Sequence, residues 1–296
     1  MHIAWHPGRF IESLNDRFVK SNLRTLSNPP GNRYGPDSTE SPFEDFSQGK
    51  LNHVWVSALH LAGIYTHREV PVEKRLGILR QGMTAELALF RAIASDEPTS
   101  ACIWGSEPTI IAPLEPFSLA TVHQWNQLTG LVAFLGDQKA ADTLADIGSS
   151  GPGSAAGFTH WPYCVPLAEC WVRFVANRDW NSYHAEAIAA ANQWIDEPDA
   201  KRPTSRSRRR TFERKDGPLL RAIEALDNRD AGSFDHACLD FFKGHKKRYV
   251  KKTFIEGEGI LSPIGLGLLA MARRAGVPCS ITSDFAPAEL VDAVIA

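Results

Sequence analysis

The histidines and cysteines are the residues of this chain best able to hold a metal ion or move a proton, and their spacing decides whether they can. His53, His60 and His67 recur every seven residues. Helical neighbours that share an ion sit at i+3 or i+4, about 5–6 Å apart, whereas seven residues span about 10 Å of helix. The three therefore read as a solvent-facing polar stripe, opposite Val54, Ala58, Leu61 and Tyr65. His2 and His6 do have i, i+4 spacing, but Pro7 disfavours helical backbone at His6. His160, Cys164, Cys170 and His184 are spaced more widely than the C-x2-4-C knuckle that seats two thiolates on one zinc. Those cysteines are expected in a core, where free thiols commonly lie.

Two further stretches invite a catalytic reading and do not sustain it. Gly151-Pro152-Gly153-Ser154-Ala155-Ala156-Gly157 is glycine-rich, but lacks the Gly-Lys-Ser/Thr end of a phosphate loop and follows a helical rather than a strand pattern. It also misses the G-x-S-x-G elbow, so it reads as a connector. Glu256 and Glu258 flank Gly257 and form a bare carboxylate pair. Paired carboxylates divide acid and base roles only when their surroundings separate their pKa values. Ahead of an apolar helix they are more simply polar residues near its N-terminus. The expectation is a protein with no catalytic residue, no metal and no cofactor.

Charge is the more informative signal. The formal net charge is −2. Lys201 to Lys215 holds eight Lys or Arg and one acid, Glu213, and Lys243 to Lys252 holds six with no acid. These stretches carry +7 and +6, which leaves −15 on the rest of the chain. Such a bipolar distribution creates a field that can steer a charged partner. Only Phe212 and Tyr249 are interleaved among the cations, and a basic overall balance is missing, so direct nucleic-acid binding is not expected. Arg206 to Arg210 taken alone reads as a solvated loop.

The elements that must carry these residues are helices. Phe234, Ala237, Cys238, Phe241 and Phe242 form one apolar stripe over Ser233 to Lys243, with Ser233 as N-cap and Asp230 nearby. Pro218 to Asn228 repeats the pattern through Leu219, Ala222, Ile223 and Leu226, with Pro218 suited to the first turn. The short break between them predicts antiparallel neighbours. The same periodicity predicts helices over Leu51 to Tyr65, Pro71 to Ser95, Phe117 to Leu135, Val165 to Val175, Tyr183 to Ile195 and Ala286 to Ile295. Asp179 or Asn181 is a candidate cap for Tyr183 to Ile195. Ile260 to Ala275 is apolar on nearly all sides and is expected in the interior, ending at Gly276. Trp104, Trp125, Trp161, Trp171, Trp180 and Trp194 are expected to anchor helix packing. Cys102 to Trp104, Pro108 to Ala112 and Val277 to Ser283 are weak extended pieces with no hairpin partner.

These signals predict an all-α fold of packed helical hairpins, as a single multi-helix bundle or a short solenoid-like array. One domain over 1–296 is expected, with loops near 27–50, 148–160 and 197–217. Apolar residues at 43% and charged residues at 22% suit a globular chain and exclude a disordered, collagenous or disulfide-dense one. The longest apolar run, Ile264 to Ala272, has nine residues, well short of the ~20 that cross a bilayer. The N-terminus lacks a secretory pattern, and five irregularly spaced cysteines suit a reducing compartment, so a cytoplasmic location is expected.

The C-terminal residues carry a resemblance. Glu258-Gly259-Ile260-Leu261-Ser262-Pro263 leads into the apolar helix, which ends in Ala272-Arg273-Arg274-Ala275-Gly276-Val277-Pro278. Ile281, Ser283-Asp284, Phe285, Pro287 and Leu290 follow. This arrangement resembles the signature of the immunity protein 49 family of bacterial polymorphic toxin–immunity systems, and the hairpin from Pro218 to Tyr249 resembles it too. The resemblance implies an all-α, non-enzymatic cytoplasmic protein that binds and neutralises a cognate toxin, delivered by a contact-dependent or type VI secretion route. Partner-binding candidates are Arg208, Arg209, Arg210, Lys246, Lys247, Arg248, Lys251 and Lys252 against an acidic toxin, or the acidic remainder of the chain against a basic nuclease toxin. A helical scaffold for an endogenous partner, and a hydrolase with an unrecognised site, are the alternative classes.

Overall fold

A computed structural model describes residues 1–4, 16–27, 48–114, 121–148, 161–197, 204–249 and 259–296. Twelve helices and four short strands lie within them. The strands are β1 (His2–Ile3), β2 (Thr99–Ala101), β3 (Thr109–Ile111) and β4 (Thr282–Ser283). The helices begin with α1 (Asp16–Ser27), α2 (Gln48–His67), α3 (Val72–Ile93), α4 (Val122–Leu135), α5 (Gln138–Ile147) and α6 (Cys164–Val175). They continue with α7 (Asn181–Asp196), α8 (Ser205–Lys215), α9 (Gly217–Asp227), α10 (Ala231–Tyr249), α11 (Pro263–Ala275) and α12 (Ala288–Ala293). The chain is an all-α bundle, as its periodicity predicts.

Consecutive helices pair as hairpins in α2/α3, α6/α7 and α9/α10, while α4 pairs with the distant α11. One apolar cluster runs through all of them, from Ile3 to Val291. The α4/α11 contact is close. A Cβ added at Gly130 would lie 2.6 Å from the Ile264 backbone, and one added at Gly267 would strike the Gly130 carbonyl oxygen. Main chain therefore meets main chain here, and only glycine fits. The ends of both helices are fastened. Thr121 and Gln124 form a reciprocal capping box on α4. Ser262 Oγ accepts from the Gly265 amide at 3.2 Å to cap α11. Arg274 reaches across from α11 and donates to the Ala133 and Phe134 carbonyls at the end of α4. The α11 helix stops at Gly276, with φ of 68°, as expected from sequence. It is buried along almost its whole length.

Four expectations need correction. Cys102 to Trp104 is not a strand; the strand lies just before it at Thr99–Ala101 and pairs with Thr109–Ile111 as a small antiparallel hairpin, and Thr282–Ser283 pairs in parallel with His2–Ile3. The cap of α10 is Asp230, not Ser233. Asp230 Oδ1 accepts from the Ser233 amide at 3.1 Å and Oδ2 from its hydroxyl at 2.6 Å. These bonds hold the Asp230 carboxyl below the usual carboxylate range. His60 is not solvent-facing but 4% exposed, edge-on to Phe18, because α1 packs across that side of α2. The stretch 197–217 is not a loop throughout, since residues 205–215 form α8.

Candidate interaction surface

Local charge does not favour a helix at α8. Arg206, Arg208 and Arg209 sit in its first turns, where the helix dipole is positive. The Thr204 side chain gives one cap, a long 3.4 Å bond from the Ser207 amide. Tertiary burial offsets the unfavourable charge. Arg208 is 2% exposed and its Nη1 donates to the Trp194 and Glu197 carbonyls at 2.6 and 2.7 Å. A side chain of α8 thus satisfies the terminal carbonyls of α7. Four residues downstream, Phe212 stands edge-on to Tyr163 at 5.1 Å. Tyr163 in turn packs with Trp161 and Trp194. Lys215 Nζ closes this cluster 4.4 Å above the Trp161 ring, a cation–π contact worth about 0.5–1 kcal/mol at an exposed site.

The same helix is pressed onto α10. A Cβ added at Gly244 would strike the Arg214 carbonyl oxygen, so the two main chains touch. Basic segments about thirty residues apart in sequence are thereby brought edge to edge. Between α4, α8 and α10 lies a cavity of about 290 Å³. Arg214, Lys215, Lys247 and Arg248 line it with His123 and His245, and Phe241, Leu219 and Ile264 form apolar wall. Asp216 is the one acid lining it among the described residues. Its carboxylate accepts from the Tyr163 hydroxyl at 3.0 Å. Burial first, and Asp216 second, push that hydroxyl far above its ordinary pKa, so it remains a donor.

Two amides complete the lining. Asn126 and Gln127, on α4, are 6% and 5% exposed. Neither Asn126 Oδ1 nor Gln127 Oε1 has a hydrogen-bond partner among the described residues. Buried amides without partners are costly, and here both face a cationic cavity.

The sequence-predicted residues fall in different places. Arg208 is not a surface residue, because its guanidinium caps α7 from inside the bundle. Lys246 donates to the Ala4 carbonyl at 2.7 Å and so ties α10 to the end of β1. Arg209 and Arg210 are exposed on the outer side of α8, with Arg209 4.0 Å from Asp196. Lys247 and Arg248 line the cavity. Lys251 and Lys252 lie outside the described residues, as do His6, His160, the glycine-rich stretch 151–157, Glu256 and Glu258.

Sequence reasoning missed Arg214 and Lys215 as site residues, although they close the first basic stretch. It also missed His123, Asn126, Gln127 and His245. The α4 residues read only as part of an amphipathic helix, and nothing local announces that α8 and α10 will converge on them.

Elsewhere the titratable groups are built into structure. Burial pushes the Cys164 and Cys170 thiols up to about 12, far from the range of a reactive thiolate. Among the described residues no group of three or more His, Cys, Asp or Glu side chains could hold a metal ion. No described helix is long and apolar enough to cross a membrane.

The architecture is that of an all-helical bundle protein with one cation-rich face. Residues 71–290 match the family model of immunity protein 49, and the chain belongs to that family. The match starts just before α3 and ends in α12, so it takes in both the α4/α11 corner and the basic face. No curated protein matches the chain. No solved structure matches it either.

Proposed function

We propose that this protein is a non-catalytic immunity protein that neutralises a cognate bacterial toxin by binding it. Family membership over residues 71–290 is the observation that carries the reading. The face formed by α8 and the C-terminal half of α10 supports it as the contact surface. Its cations are held on a rigid base, so the entropy lost on binding is small. Arg206, Arg210, Arg214 and Lys243 make no ion pair among the described residues, and their charge is available to a partner. Opposed charge accelerates encounter and sets partner choice. The toxin arrives from a competing cell by a contact-dependent or type VI route, and the complex forms in the cytoplasm.

Co-expression tests the reading. The product of the neighbouring open reading frame is induced in a sensitive host, with and without this protein. Restored growth is the expected result, and continued killing refutes immunity. Purified protein should also bind that product at a fixed stoichiometry with no turnover of either chain.

A further inference from the structure

The geometry points to the cavity between α4, α8 and α10 as a socket for one acidic side chain of the toxin. This inference rests on the immunity reading. Three observations carry it. The first is charge. Arg214, Lys215, Lys247 and Arg248 surround about 290 Å³, and Asp216, the one acid lining it among the described residues, is engaged by the Tyr163 hydroxyl. The second is the lining. Asn126 and Gln127 are more than nine-tenths buried and line the cavity, and their side-chain oxygens have no hydrogen-bond partner among the described residues. An amide N–H can donate to an entering carboxylate, and the amide oxygens, which are acceptors, can be approached only by donors such as the lining cations. The third is shape. The volume admits an Asp or Glu side chain, with Phe241 positioned against its methylene carbons, and Arg214 can take the carboxylate with two parallel bonds. Such a desolvated, charge-matched contact at the centre of a face is the usual form of an interface anchor.

The test uses the full-length protein and the product of the neighbouring open reading frame, with affinity measured by calorimetry at 50 and 300 mM salt. Arg214→Glu/Lys247→Glu is expected to weaken binding by about 100-fold and to flatten its salt dependence. Arg80→Glu/Lys139→Glu, at exposed positions of α3 and α5 that do not line the cavity, makes the same change of charge and should alter affinity by less than about threefold. Gln127→Met keeps the side-chain volume, removes the amide and should cost about 10-fold with an unchanged circular dichroism spectrum. An Asp or Glu→Lys substitution in the toxin that restores binding to the doubly reversed protein identifies the occupant. Wild-type affinity in both Arg214→Glu/Lys247→Glu and Gln127→Met overturns the socket and leaves immunity standing. Inorganic phosphate seated in the cavity, with toxin affinity unaltered at saturating phosphate, also overturns it. Failure of the wild-type protein to bind or protect overturns the immunity reading itself.

Discussion

The α4/α11 corner and the α8/α10 edge are both places where main chain touches main chain through glycine, yet they are opposite in character. At the corner, Gly130 and Gly267 are enclosed by apolar residues. At the edge, Gly244 brings together two helices rich in Lys and Arg. Each region also uses one arginine of one helix to cap the C-terminus of another, Arg274 on α4 and Arg208 on α7. The residues that carry the family resemblance, Ser262, Gly276, Ser283 and Phe285 among them, belong to the corner. Ser262 donates its amide to the Phe285 carbonyl at 2.7 Å, which ties the start of α11 to the segment after β4. This part of the signature is thus architectural, and the proposed contact face shares with the resemblance only the hairpin that contains α10.

The comparison can be broken first at the glycines. Gly130→Val should cost about 3 kcal/mol or more, since backbone rather than a movable side chain blocks the new atoms. Little soluble protein, or a sharply lowered thermal midpoint, is the expected outcome. A midpoint within a few degrees of wild type would mean that the two helices are not in main-chain contact.

The corner's side of the molecule contains one group that is out of place. Glu86 on α3 is fully buried, both its carboxyl oxygens lack partners among the described residues, and burial pushes its pKa up to about 8 from 4.5. The folded state therefore holds a proton that the unfolded chain releases above pH 4.5. Stability is greatest below that pH, falls as pH rises toward about 8, and is level beyond it. Glu86→Gln should remove a loss of about 3 kcal/mol between pH 4.5 and 7. Chemical denaturation of the two proteins across pH reads this directly, and parallel curves would place Glu86 in contact with water.

The arginine caps sharpen the comparison at intermediate size. Arg208→Ala and Arg274→Ala should each cost about 2 kcal/mol, because buried carbonyls lose a charged donor. Their local effects should differ. Loss of Arg208 should raise hydrogen exchange over 205–215, where like charges crowd the helix. Loss of Arg274 should act globally. Equal exchange patterns would deny α8 its dependence on tertiary contact. The smallest effect is at the N-caps. Thr121→Ala should cost about 1 kcal/mol and Thr204→Ala about half of that, given the longer bond at Thr204. Thermal unfolding resolves the order.

Much of the fold was legible because apolar periodicity survives in a single sequence. The stripes over 51–65, 71–95, 165–175, 183–195, 218–228 and 233–243 all correspond to helices of similar bounds. What was not legible depended on partners far along the chain. His60 is buried by α1, some forty residues away, and α8 exists because Arg208 and Phe212 find partners on other elements. The β2/β3 hairpin was missed because its strands have three residues each and lack a two-residue turn between them. The basic stretches were visible from the start. Their meeting over Asn126 and Gln127 was not, because one close approach at Gly244 creates it.

That approach has an evolutionary consequence. The crossing at Gly244 is made by peptide groups and needs no particular side chain from its surroundings. Arg214 and Lys243, exposed beside it, make no ion pair among the described residues, and their side chains can be exchanged without disturbing how the helices meet. On the proposed reading, such a face is readdressed by point substitution, on an unaltered frame.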